Sequence, residues 1–195
     1  RRETALALGK VRDPSAVNPL IQQFQKDKIA EVKNACIVAL GEIGDVSAVD
    51  ALMRILQNKP KNENTADEFS RRSAARSIGQ IAQIIQTGKT KILTPQNFLP
   101  DNKKLIEKPK YPKLTETFPI FRLAIGVLIQ TLQNPRESQD AKREAAFALG
   151  ALGDKSAIPV LQANLNNEDY YLAEISKEAL KKISAFPDWK RNKIA

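Results

Sequence analysis

The chain has 195 residues, 42% of them hydrophobic and 27% charged, with a formal net charge of +9 and a pI near 9.7, the composition of an ordinary folded protein with a basic surface. One cysteine, Cys36, and no histidine exclude an intramolecular disulfide framework, a multi-cysteine or histidine metal site, and Ser-His-Asp or Cys-His catalysis. No apolar run approaches the roughly 20 residues that span a bilayer, so a cytoplasmic protein with acidic partners is the expectation.

In chain order, the first nine residues, Arg1 to Gly9, already hold the pattern that organises everything after them. It returns over Lys33 to Gly41, Arg71 to Gly79 and Lys142 to Gly150, and in decayed form over Ala173 to Ile183. Self-similarity of this kind is read as a stack of repeats, each contacting only its neighbours. With the recurrent glycine as position zero (Gly9, Gly41, Gly79, Gly150, then Lys181), the spacings are 32, 38, 71 and 31. The alanine that follows each copy (Ala16, Ala48, Ala124, Ala157) lies 7, 7, 45 and 7 residues on, so the long spacing is one repeat carrying 38 extra residues. The chain starts inside a repeat and without Met, and is read as a fragment of a longer protein.

Each repeat spells two helices. The first carries the stripes Ala16, Val17, Leu20, Ile21, Phe24; Ala48, Val49, Leu52, Met53, Leu56; Ala124, Ile125, Leu128, Ile129, Leu132; and Ala157, Ile158, Leu161, Leu165. That is helical spacing, not strand alternation. Asp13-Pro14, Gly44-Asp45 and Gly153-Asp154 mark its entry, the aspartate as N-cap and the glycines closing the helix before it. In the second helix, positions −5, −4, −1 and +2 fall on one apolar face, position −2 is always small (Ala7, Ala39, Ser77, Ala148), and the glycine at zero costs about 1 kcal/mol against Ala. Its recurrence predicts close approach of a neighbouring backbone or a local bend.

The domain is expected to be single over 1–195, with repeat helices over about 1–86 and 119–184, an insert at 87–118 and a tail at 185–195. Asn58 to Ala66 lengthens one loop. The insert holds four prolines and seven lysines, among them Lys103, Lys104, Lys108, Lys110 and Lys113, yet keeps enough apolar residues to be irregular and partly ordered. In the tail, Pro187 ends the last helix beside Phe186 and Trp189, which is expected to seal the end of the stack.

The pattern Gly-Asp-x-x-Ala-[Val/Ile]-x-x-Leu, then [Lys/Arg]-x-x-Ala and Ala-Leu-Gly, resembles the HEAT-like repeat first described in phycobilisome lyases. The resemblance covers most of the chain outside the insert and tail. It implies an all-α fold, a right-handed α-solenoid of stacked antiparallel helix pairs with one irregular insert and the second helices lining the concave side. Such repeats serve bilin lyases, scaffolds, repair glycosylases and regulatory domains, so the fold alone does not choose among them.

On that geometry two positions define a candidate groove. Position −7 holds Arg2, Asn34, Arg72 and Arg143, and position −3, one turn on, holds Leu6, Val38, Arg76 and Phe147. Basic along one line and apolar beside it, they are expected to face solvent and take up a partner protein with an acidic or mixed apolar and acidic surface. At the last repeat the same positions are Glu174 and Glu178, which reverse the sign. Position −8 (Arg1, Lys33, Arg71, Lys142) falls on the apolar side, so its side chains are expected to pair with the caps Asp13 and Asp45. Cys36 is expected in the core, and Tyr170 and Tyr171 to pack at the end of the stack. With no convergent reactive cluster, the expectation is a non-catalytic interaction scaffold with no catalytic residue, metal or cofactor. Nucleic-acid binding through the arginines, or a bilin lyase-like chromophore-handling role, are the alternatives.

Overall fold

A computed structural model describes residues 1–59, 64–88 and 114–185. The expectations for the insert lysines, for most of the insert, for the middle of the Asn58 to Ala66 loop and for Phe186 to Trp189 lie outside those residues.

The described chain is all helical: α1 (Arg2–Val11), α2 (Val17–Lys26), α3 (Ala30–Ile43), α4 (Val49–Gln57), α5 (Thr65–Thr87), α6 (Leu114–Thr117), α7 (Ile120–Gln133), α8 (Gln139–Leu152), α9 (Ile158–Ala163) and α10 (Tyr170–Ala185). The second helices α1, α3, α5, α8 and α10 stack in that order, while α2, α4, α7 and α9 form the outer layer against them. This is the α-solenoid of helix pairs expected from the repeat. Helix α5 packs directly on α8, so among the described residues no further second helix stands between them.

The caps work as the sequence implies, with one refinement. Asp13, Asp45 and Asp154 accept the backbone N–H of Ser15, Ser47 and Ser156 at 2.8–2.9 Å. Each opens a single 3₁₀ turn, and the α-helix starts after it. Gly44 and Gly153 close α3 and α8 in the left-handed region, at φ 78° and 71°. Arg12 fills the same place after α1 at φ 60°, a conformation that is strained for a side chain with a Cβ. Helix α9 stops at Ala163 because Asn164 and Asn167 take up the turn that follows, Asn164 donating to the Val160 carbonyl and Asn167 to the Asn164 side chain. Leu165, expected in the apolar stripe, is therefore beyond the helix and exposed.

The core forms along the apolar face expected of the second helices: Cys36, Ile37, Leu40, Ala74, Ala75, Ile78, Ile81, Ala145, Ala146 and Leu149 are fully buried. The glycines explain how closely the layers approach. A Cβ on Gly79 would lie 2.8 Å from Ala148 Cα, and one on Gly150 would lie 2.7 Å from Ala179 Cα. Each glycine thus receives the position −2 residue of the next second helix, and only a small residue fits there. Ser77, the polar one of the set, satisfies its buried hydroxyl by donating to the Ile37 carbonyl at 2.9 Å. Ala7, on the first of the described second helices, is exposed. Second helices meet along much of their length and the outer helices over less. That inequality is the one expected of a stack in which the second helices line the inner, hollow side.

Candidate functional site

The eight groove residues divide into three settings. At the α3–α5 step, Val38, Arg72 and Arg76 come together in one pocket of about 200 Å3, completed by Glu42, Phe69, Ser73, Ser77 and Gln80. Asn34 stands beside it and accepts a hydrogen bond from the Ser70 hydroxyl at 2.9 Å. Arg2 and Leu6 lie one layer away on α1, Arg2 exposed and paired with its neighbour Glu3 at 2.6 Å, Leu6 half-buried. Arg143 and Phe147 lie beyond, on α8.

Phe147 does not face solvent as expected; it is 8% exposed. The glycine is the cause. Gly79 of α5 leaves a gap that the Phe147 ring fills, a Cβ there falling 2.7 Å from the ring, and the Lys182 ammonium lies 5.5 Å from the ring centroid on the other side. Phe147 is a floor of the face, not a contact on it.

Two of the four position −8 residues, Arg1 and Arg71, pair with acids, and neither pairs with the expected cap. Asp13 and Asp45 follow the C-terminal ends of second helices, whereas position −8 is near the N-terminal end, about 18 Å away at 1.5 Å per residue. The acids that answer it sit in the loop before the next second helix. Arg1 pairs with Asp27 at 2.9 Å and Arg71 with Glu137 at 2.9 Å, and Arg143, one position on, pairs with Asp169 at 2.7 Å. The separations are 26, 66 and 26 residues, the middle one 28 without the 38 extra residues. An acid 26 to 28 positions after the base was therefore the available signal, hidden in the middle copy by the insert. In the remaining layer Lys33 lies 5.4 Å from the Phe24 ring centroid. Lys59, 26 residues after it, reaches Glu137 at 3.7 Å and donates to the Arg136 carbonyl at 3.0 Å.

The Arg71–Glu137 pair is the buried member of this ladder. Both side chains are almost fully buried, and Arg71 donates through Nε and Nη2. Burial pushes the Glu137 carboxyl up, but the hydrogen bonds and charge of Arg71, the Ser138 N–H and the Lys59 ammonium together hold it below the ordinary glutamate range. Asp169 is held low first by its hydrogen bonds from Arg143, against a smaller upward push from burial, and it also accepts the Leu172 N–H at the start of α10. Asp140 joins Arg72 at 3.1 Å to Arg143 at 2.7 Å. The line continues through Arg143, 5.2 Å from the Tyr171 ring, to Tyr170, packed edge-on against Tyr171. Both tyrosines are exposed; their packing is with each other and with Arg143, at the surface.

Two features complete the chemistry. Cys36 is wholly inside the core, and burial pushes its thiol up, the opposite of an activated nucleophile. Glu42 has its Oε2 buried against Gly9 with no hydrogen-bond partner, a state that costs about 1–3 kcal/mol for a polar group.

Comparison with known proteins agrees with this geometry. The family model for HEAT repeats matches residues 1–68, and that for the PBS lyase HEAT-like repeat matches residues 141–167. A stretch of 58 residues is 40% identical to the bilin biosynthesis protein PecE of Nostoc sp. (strain PCC 7120), covering 30% of this chain and 23% of that protein. The fold is similar to that of a chain in the complex of CpcE and CpcF of phycocyanin lyase from Nostoc sp. PCC7120, with a TM-score of 0.59, 20% identity, and coverage of 98% of this chain and 62% of that one. The chain therefore matches less than a quarter of the curated relative and less than two thirds of the solved chain. These likenesses overturn the expectation of a non-enzyme: the sequence relative is a bilin biosynthesis protein, and the fold is one found in a phycocyanin lyase. Among the described residues no helix is long and apolar enough to cross a membrane.

Proposed function

Because the chain is a HEAT-like repeat protein with repeats of the phycobilisome-lyase type, we propose that it is a bilin lyase-like subunit that holds an open-chain tetrapyrrole and presents it to an acceptor protein. The observation that carries this reading is the 58-residue match, at 40% identity, to a bilin biosynthesis protein. The hollow face supports it physically. Stacked second helices form a continuous surface on which Leu6, Val38 and Phe69 offer apolar area beside the charges of Arg2, Arg72, Arg76 and Arg143. A conjugated, carboxylate-bearing ligand needs both. The same face, with the exposed Tyr170 and Tyr171 at its far end, suits a protein partner, since exposed aromatics and arginine make strong interface anchors.

The nucleic-acid reading is weaker, because its arginines are already answered by acids: Arg72 by Asp140, and Arg143 by Asp140 and Asp169. A phosphate backbone would have to displace those carboxylates.

The test is chromophore transfer. The chain is mixed with a bilin and an acceptor subunit carrying its attachment cysteine, with and without a second HEAT-like lyase subunit, and the products are run on a denaturing gel. A coloured, zinc-fluorescent acceptor band that depends on this chain is the expected result. The same band intensity with and without the chain, in every combination of bilin and acceptor, would overturn the proposal.

A further inference from the structure

The geometry points to the pocket between α3 and α5 as the seat of one propionate-bearing ring of the tetrapyrrole, with Arg72 and Arg76 holding the carboxylate. The inference rests on the bilin-handling reading above and adds to it the part of the ligand that is recognised and the residues that recognise it.

Size comes first. A volume of about 200 Å3 is below the usual range of roughly 300–1,000 Å3 for pockets that enclose a drug-sized ligand. It suits one pyrrole ring and its carboxyethyl arm, with the rest of the chromophore lying along the open face. Chemistry narrows this further. Val38 and Phe69 give the pocket an apolar wall, and Phe69 is 44% exposed, leaving ring surface for a flat conjugated partner to cover. The Arg72 guanidinium lies 5.8 Å from the Phe69 ring centroid, which places a cation beside that apolar wall. Arg72 meets Asp140 through Nη1 at 3.1 Å, and Arg76 meets Glu144 only at 4.0 Å. A guanidinium has five N–H donors, so both arginines keep donors for a carboxylate on the pocket side.

Charge narrows the choice again. The lining holds two arginines and one carboxylate, Glu42, and Asp140 and Glu144 stand beside the arginines. A single ligand carboxylate can take the remaining donors, whereas a polyanion would be repelled by the acids. The Glu42 Oε2 is turned into the α1 seam, buried against Gly9, so Glu42 serves here as a negative charge in the pocket wall and not as an acceptor for the ligand. An aspartate or glutamate side chain of a docking protein would satisfy the arginines but does not offer a flat apolar surface to pack on the exposed Phe69 ring.

The experiment titrates the protein with biliverdin and, separately, with biliverdin dimethyl ester, followed by visible absorption and induced circular dichroism. The ester keeps the rings and N–H groups and removes both carboxylate charges. The free acid is expected to bind about tenfold or more tightly than the ester, as charge-assisted hydrogen bonds predict. The double variant Arg72→Gln/Arg76→Gln should lose that preference, binding acid and ester alike, with far-ultraviolet circular dichroism confirming intact helices. Equal binding of acid and ester by the unchanged protein, or a double variant that keeps the full preference, overturns the assignment while leaving bilin handling in place. Binding of neither form removes the bilin-handling reading and the assignment with it.

Discussion

Two neighbouring steps of the same stack, α3 on α5 and α5 on α8, use the same register and end differently. At the second, position −3 of the incoming helix is Phe147, whose ring drops over Gly79 and closes the seam. At the first, position −3 is Arg76, whose head turns towards Glu144 of the next layer, and a pocket stays open beside Val38 and Glu42. Below both runs the backbone contact of glycine against a small residue, Gly41 on Ser77 and Gly79 on Ala148. The repeat therefore sets the spacing of the layers, and a single side chain per layer decides whether the spacing is filled or left open.

The closed step should be the fragile one. Arg71→Met leaves the buried Glu137 with only the Lys59 ammonium and the Ser138 N–H and is expected to lower stability by about 3 kcal/mol in urea denaturation, the lower end of the usual cost of removing one member of a buried pair. Replacing both, Arg71→Met with Glu137→Met, should recover most of that loss. Phe147→Ala, which empties the seam over Gly79, should cost about 3 kcal/mol. Val38→Ala at the open step should cost about 1 kcal/mol, since its side chain is only half-buried. Near-equal losses for Phe147→Ala and Val38→Ala would erase the distinction between the two steps.

Acid sharpens the same contrast. The Glu137 carboxyl is held below its ordinary range in the folded chain, so its contribution is full above the pKa it has when unfolded. That contribution is lost as pH falls through the lower, folded value. Stability measured from pH 6 down to pH 2 should therefore fall at the acid end, and Glu137→Gln should flatten that fall. The smallest effect belongs to the pocket: Arg76→Gln should change stability by no more than about 0.5 kcal/mol, because the half-buried Arg76 meets Glu144 only at 4.0 Å.

Much of this architecture was legible in the residues, and the reasons are particular. Apolar positions at helical spacing marked both helix layers, and the recurrence of Gly9, Gly41, Gly79 and Gly150 announced close backbone approach before any neighbour was known. The partners of the charged residues were not legible in the same way. Arg71 and Glu137 are separated by the insert, so the 26-residue rule that joins Arg1 to Asp27 and Arg143 to Asp169 could not be counted across it. Helical angle alone also misplaced Phe147, because a face that points away from its own helix pair can still be covered by the next layer. The non-enzymatic reading failed for a different reason. It was drawn from the lack of a reactive cluster, and a chain that holds a chromophore for transfer needs shape and charge more than a nucleophile of its own.

Amide hydrogen exchange with and without a bilin tests the central claim most directly, because it reports where on the stack the ligand rests. The account predicts slower exchange confined to α3 and the N-terminal half of α5, around Val38, Phe69 and Arg72, with α8 and α10 unchanged. Slowing that appears only at α8 and α10, or uniform exchange in the presence of saturating bilin, would contradict it.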